Sequence, residues 1–316
     1  MPLCVYTWVK LAIFAPFVCS LSFKKDFISP NMNPIQLHHN VKHKLFDRQQ
    51  TAQYDLSLYI GKDEISYAVI NTADNMVILL KSFRLADVGN FFTYKLSVND
   101  FFEQEELLRA GFSRINVAIN AAPYTVVPEK YYDSSKAEKY FSLNHPSESS
   151  GKLHSDYLES VRAYLIYAVD YYLLDVLEKN LVMFQLYHSH STLLRQIAAD
   201  NNGTASSRLL HINVQKHHID LIALADKSLQ LMTSNYIESP NDLLYYALNA
   251  AQKSGIDPTH DHIVMTGDIN ADYPHYKLSQ RYIAALQLGK RPADLRYCSE
   301  ADILPPNSHY NLLATR

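Results

Sequence analysis

Glycine is scarce in this 316-residue chain, with 8 copies against 23 tyrosines. Glycine lets backbone N–H groups close on phosphate oxygens, so the shortage argues against an enzyme built on several glycine-rich phosphate loops. Cysteine is rarer still. Cys4 and Cys19 lie in the extreme N-terminal segment and leave Cys298 alone in the body. No disulfide can form within the folded part and no zinc-ligand spacing exists, which points to a reducing, cytoplasmic compartment. An excess of one charge is missing too. The formal net charge is -3 and the basic residues are scattered, so no stripe for nucleic acid is present. The chain has no Gly-x-Ser-x-Gly elbow, Walker loop, His-Glu-x-x-His helix or Cys-His pair. No residue is assigned as catalytic or as a metal ligand.

The longest apolar stretch runs from Leu3 to Phe23 and includes Trp8, Ile13, Phe14, Phe17 and Val18. No basic residue precedes it and Lys10 sits inside it. Three readings stand open: an over-extended start, a retained inner-membrane anchor, or a cleaved signal. The first is favoured, because Met32 opens the polar run Met-Asn-Pro-Ile-Gln, which has the character of a cytosolic start. Membrane association is expected only if residues 3–23 are native and retained.

Residues 24–53 read as a polar, irregular leader with one short helix. From Tyr54 the pattern changes. Leu56, Leu58 and Ile60 alternate with partly polar neighbours, as do Ile65, Tyr67 and Val69, and Met76 to Phe83 forms a third apolar run. Period-two alternation broken by the turns at 61–64 and 71–75 predicts an antiparallel meander of three strands. A helix is predicted over 99–110, a strand over 114–120, a helix over 131–140 and a loop over 142–155. Strand-plus-helix units follow at 163–179 and 181–199. A second meander spans 208–234, with a helix over 240–254, a buried strand over 262–266 and a helix over 276–288. Meander, helix and strand thus occur twice, a duplication of topology without close sequence repetition. The expected divisions are 1–53, a first lobe at 54–200, a second at 201–295 and a C-terminal tail at 296–316.

This order resembles the duplicated ribonuclease-H-like plan of the actin-like superfamily, an α/β fold of two lobes, each a mixed sheet flanked by helices. At finer grain the chain resembles the Bacteroidota family called domain of unknown function 3822, with the pilus assembly protein PilM and the cell-division protein FtsA as relatives. The resemblance implies ATP between the lobes, held by an Asp-x-Gly hairpin in each lobe and by a strand followed by Gly-Gly. The aspartates organise magnesium, and the glycines admit phosphate. Here the first hairpin reads Leu58-Tyr59-Ile60-Gly61-Lys62, with Tyr59 where the aspartate belongs. The second reads His211-Ile212-Asn213-Val214-Gln215-Lys216, with Asn213 for the aspartate and Gln215 for the glycine. The third ends Thr266-Gly267-Asp268 and keeps one glycine. Lys62 and Lys216 read as solvated turn lysines.

The resemblance therefore implies a degenerate cleft and a non-catalytic scaffold that binds a protein partner, with no cofactor. The alternatives are an ATPase or kinase-type enzyme using unusual residues, and a membrane-anchored assembly component similar to PilM. The pairs His188-x-His190 and His260-x-His262 have ligand-like spacing, but nothing nearby completes a zinc set, so they read as surface or cap histidines. Tyr164, Tyr167, Tyr171 and Tyr172 read as core and strand packing rather than as a sticky surface.

Overall fold

The structure is a computed structural model that describes residues 35–85, 91–120, 123–146, 151–201 and 207–316. The apolar stretch at 3–23 lies outside the described residues. Among the described ones, no helix is long and apolar enough to cross a membrane.

The chain opens with β1 (Ile35–Lys42), then the meander β2 (Tyr54–Ile60), β3 (Glu64–Asn71) and β4 (Met76–Leu85). Helix α1 (Phe91–Gln104) leads to β5 (Arg114–Ile119). Next come β6 (Tyr124–Pro128), α2 (Ala137–Asn144), β7 (Gly151–Leu158), β8 (Ala163–Asp170), α3 (Tyr171–Asn180), β9 (Phe184–His188) and α4 (Ser189–Asp200). The second half repeats the plan with β10 (Arg208–Val214), β11 (His218–Ala225), β12 (Ser228–Tyr236), α5 (Pro240–Lys253), β13 (His262–Gly267), α6 (Pro274–Gln280) and β14 (Leu286–Leu288). A C-terminal stretch carries β15 (Arg296–Tyr297) and α7 (Tyr310–Leu313).

The first sheet has the order β1-β4-β3-β2-β5-β9, and the second β12-β11-β10-β13-β14. Without β1 and the inserted strands β6, β7 and β8, both run third, second, first, fourth and fifth strand of their half. Both pair the first strand with the fourth, and the fourth with the fifth, in parallel. The fold is therefore α/β, with mixed sheets flanked by helices. A small sheet, β6-β8-β7, is inserted between β5 and β9.

Alternation along β2 and β3 sends their side chains to two different cores. Leu56, Leu58, Ile60, Ile65, Tyr67 and Val69 join Phe101 and Phe102 of α1 in the main core. Tyr59, Ala68 and Ile70 point the other way and pack with Leu304, Leu312 and Leu313 of the C-terminal stretch. Both faces of this sheet are therefore covered.

Three local expectations change. The leader expected to be irregular contains β1, antiparallel to β4, because Ile35 and Val41 find buried places at its two ends. The loop expected over 142–155 contains the start of β7, which a run of polar residues hides although β8 supplies the pairing. The helix expected over 276–288 stops at Gln280. Leu286–Leu288 instead pairs with β13, and Gly289 donates its N–H to the Met265 carbonyl at 2.8 Å. An open strand edge outweighs helical periodicity there.

The tyrosines separate. Tyr167 is fully buried, Tyr164 stacks on Tyr132 at 3.8 Å, and Tyr171 is exposed. Asp170 caps α3, accepting from the N–H groups of Tyr172 and Leu173.

Candidate functional site

The two hairpins and the turn after β13 meet between the halves. Tyr59, Asn213, Gln215, Lys216, Gly267 and Asp268 line one small cavity of about 50 Å³. Gly61 and Lys62 do not line it. Gly61 sits under the Tyr59 ring, where an added Cβ would fall 2.7 Å from a ring carbon, and its carbonyl accepts from the Tyr94 hydroxyl. Lys216 is exposed at the rim, as expected of a turn lysine.

Tyr59 and Asn213, the two residues expected in place of aspartates, belong to one buried network. The Tyr59 hydroxyl donates to Gln215 Oε1 at 3.1 Å, and Gln215 Nε2 donates to Asp220 Oδ2 at 2.8 Å. Asn120 Nδ2 reaches both Tyr59 Oη, at 3.3 Å, and Asp220 Oδ2, at 3.4 Å. Asn213 Nδ2 lies 3.4 Å from the same carboxylate, and Ser234 donates to its other oxygen. Burial of the Tyr59 hydroxyl, reinforced by the nearby Asp220 charge, pushes it well above its ordinary range.

Asp220 escapes the sequence motifs because it stands on β11, not β10. The register makes it the direct cross-strand partner of Asn213. Its only sequence signal is a lone acid inside the apolar strand His-Ile-Asp-Leu-Ile-Ala-Leu-Ala. Burial pushes its carboxyl upward. The His190 imidazole, 3.3 Å away, together with Ser234 and Asn213, outweighs this and holds it well below the usual carboxylate range.

The C-terminal stretch fills what remains between the halves. Gly267 takes a φ of 95°, and a Cβ there would meet the Val214 carbonyl at 2.1 Å, so only glycine fits. Its N–H donates to the Asn307 carbonyl at 2.8 Å. Asn307 Nδ2 returns hydrogen bonds to the carbonyls of Gly267, at 3.2 Å, and Ile269, at 2.6 Å. Asn311 Nδ2 donates to Tyr59 Oη at 3.3 Å. His309 Nε2 lies 3.0 Å from His39 Nδ1, and its Nδ1 lies 3.4 Å from Glu64 Oε1. His309 has a left-handed φ of 55°, a backbone cost of about 1–2 kcal/mol that these contacts must exceed. Leu312 and Leu313 are buried beneath.

Charged pairs join the rims. Asp268 accepts from Arg84 Nη2 at 2.9 Å, both side chains about two-fifths exposed. Asp63 Oδ2 accepts from the His217 N–H at 3.0 Å and lies 3.0 Å from His218 Nδ1. Burial pushes the Asp63 carboxyl up, but His218 and His217 bring it below its ordinary value.

These residues do not fit a magnesium-chelated triphosphate. The two aspartate positions carry neutral side chains, the Gly267 N–H is taken by Asn307, and about 50 Å³ holds a few waters rather than a nucleotide. Among the described residues, no group of three or more His, Cys, Asp or Glu side chains could hold a metal ion. His188 and His190 are not surface residues but are fully buried, their rings stacked 4.9 Å apart. His188 is nonetheless a cap, its Nδ1 accepting from the His190 N–H at the start of α4. His260 is exposed in a turn with Asp257.

The chain belongs to the family described as Protein of unknown function (DUF3822), whose model matches residues 43–286. No curated protein matches it in sequence. A Bacteroides thetaiotaomicron VPI-5482 protein with an actin-like ATPase fold and unknown function is similar in structure. Its TM-score is 0.70 at 17% identity, over 85% of this chain and 98% of that one. A chain of the PilM–PilN type IV pilus biogenesis complex gives a TM-score of 0.58 at 11% identity, over 83% of this chain and 97% of that one. At these identities the likeness establishes the fold: this is an actin-like fold.

Proposed function

We propose that this member of the family is a non-catalytic scaffold that binds a protein partner, its nucleotide cleft replaced by a structural joint. The observation that carries this reading is the Asn307–Gly267 pair. The backbone N–H of Gly267, the glycine kept in the third motif, is spent on the chain's own C-terminal stretch. A triphosphate would have to displace that stretch, break three hydrogen bonds around Gly267 and Ile269, and then find no carboxylate at position 59 or 213 for its metal. The similarity to a chain from the PilM–PilN complex supports protein binding as the use to which such a frame is put. A cytoplasmic location goes with this reading.

A second reading, an actin-like ATPase or kinase-type enzyme, draws on one feature, the buried Asp220 carboxylate beside the cleft. Its lone pairs already serve Ser234, Asn213, Gln215 and Asn120, so it has little left for a metal. Isothermal titration of the chain with ATP and magnesium separates the two readings. No binding heat is expected, and magnesium-dependent binding in the micromolar range would replace the scaffold with the enzyme.

A further inference from the structure

We propose that β12, an edge of the second sheet, pairs with β12 of a second copy of this chain, so that two second sheets join antiparallel across a two-fold axis. Such pairing is independent of the scaffold reading above.

A bare strand edge is a template for another strand, and natural sheets protect their edges with charge, proline, bulges or short strands. The other edges of this fold carry such protection. β1 ends in Lys42 and is bulged between Leu37 and His39, and β6 ends in Pro128. β7 carries Lys152 and Asp156, and β14 has only 3 residues. The outer groups of β9 meet side chains of the small sheet, Tyr167 Oη donating to the Leu186 carbonyl and Asp156 accepting from the His188 N–H. The 9 residues of β12, Ser-Leu-Gln-Leu-Met-Thr-Ser-Asn-Tyr, include no charge and no proline. Their one irregularity is a bulge at Gln230, which leaves residues 231–236 regular.

Among the described residues, β11 is the only strand paired with β12. Residues 231–235 are half-buried, whereas their partners at 219–223 of β11 are buried. Leu229 and Met232 pack against the main core on one face, and Leu231 packs against the second core on the other. The surface left to β12 is therefore its edge.

The ladder fixes which groups that edge presents. The Ile237 N–H donates to the His217 carbonyl at 2.8 Å, so residue 237 turns its backbone towards β11. Backbone direction alternates along an antiparallel strand, so residues 231, 233 and 235 do the same, and Met232, Ser234 and Tyr236 turn theirs outward. A two-fold axis normal to the sheet keeps each face on its own side, so paired residues are an even number apart. With the axis at Ser234, Ser234 meets its own copy and Met232 meets Tyr236. These are the outward residues, and they exchange about six backbone hydrogen bonds. Thr233 then stands opposite Asn235 in the pair where side chains approach most closely. Asn235 Oδ1 is buried and has no donor among the described residues. The Thr233 hydroxyl of the second copy supplies one. An uncharged strand also brings no like charges together when it meets itself.

The test is sedimentation equilibrium of the full chain from about 1 to about 200 μM, with hydrogen exchange resolved to single amides at both ends of that range. A monomer–dimer equilibrium with a dissociation constant on the order of 10 μM is expected. Exchange at Met232, Ser234 and Tyr236 is expected to slow severalfold as concentration rises, while residues 233 and 235, already bonded to β11, stay unchanged. Thr233→Lys combined with Asn235→Lys sets like charges opposite each other and is expected to stay monomeric. Thr233→Lys combined with Asn235→Asp sets opposite charges across the same pair and is expected to dimerise as the parent does. Circular dichroism checks that both double variants fold. A monomer throughout the range overturns the proposal, as does a dimer whose protection falls outside residues 231–236. Equal association of the two double variants overturns it as well. None of these outcomes touches the titration with magnesium ATP, which decides the scaffold reading separately.

Discussion

The side-chain amide of Asn311 donates to the hydroxyl of Tyr59 at 3.3 Å, joining the C-terminal stretch to the first hairpin across the space between the two halves. On the reading proposed above, Tyr59 stands where an acid would be. The substitution does more than delete a ligand: a ring and a hydroxyl occupy the volume, and the hydroxyl serves Asn120, Asn311 and Gln215 together.

Restoring the acid is therefore not expected to restore a nucleotide site. Tyr59→Asp places a second carboxylate near Asp220 in a fully buried position with no cation beside it. A buried, uncompensated charge costs about 3–5 kcal/mol. Urea denaturation is expected to show a loss of that order, and titration with magnesium ATP no binding heat. A folded variant that binds the nucleotide would contradict the joint described here.

Asn307→Ala removes two hydrogen bonds from a side chain in a fully buried site, leaving the Gly267 and Ile269 carbonyls to find other partners. Each unsatisfied group costs about 1–3 kcal/mol. The variant is expected to lose about 2–4 kcal/mol in a denaturant titration. Exchange is expected to quicken at residues 307–315 before it does in the sheets.

Asp63→Ala tests the contact between the first hairpin and the second. It removes the acceptor of the His217 N–H and the partner of His218. A loss of about 1–3 kcal/mol is expected, with faster amide exchange at residues 217 and 218. Unchanged exchange there would mean the hairpins hold together without this carboxylate.

The pH dependence has opposing parts. Burial lowers His38, His39, His154, His211, His262 and His275 below the ordinary histidine value, His39 to about 4 and His211 to about 3. A base whose folded value is depressed gives stability that is present above about pH 6.5 and is lost as pH falls below it. Asp156 runs the other way. Burial raises it to about 6, so the folded state binds its proton more tightly and stability grows as pH falls from 7 to 5. The parent is expected to lose stability on acidification. Asp156→Asn should lose it more steeply over that interval, by on the order of 1 kcal/mol, when unfolding is followed at a series of pH values.

Asp220 supplies the acid limb. Its carboxyl is held below the usual range in the folded state, so its contribution is full above about pH 4 and disappears as pH falls through the folded value. Ser234→Ala removes one of the donors that hold it down. Acid unfolding of this variant is expected to begin at a higher pH than in the parent.

Much of the fold was legible in the sequence, because alternation at 54–83 and again at 208–234 is forced by sheets with one residue in two facing each core. The residues themselves are read directly from the hairpins, and the structure brings Tyr59, Asn213 and Gln215 together at one small cavity. Strands β1 and β7 were not legible, because their polar residues give no alternation and only the edges of β4 and β8 make them strands. Asp220 became a cleft residue through its register opposite Asn213, which no spacing in the chain announces.

The sequence by itself determined the repeated order of elements and the side chains of the hairpins, because both are local: one sets which residues alternate, the other which side chains stand at a turn. Tertiary structure alone decided that residues 307–313 lie against those hairpins. Contacts between segments far apart in the chain leave no periodic trace in either one, and their partners exist only once the sheets have formed.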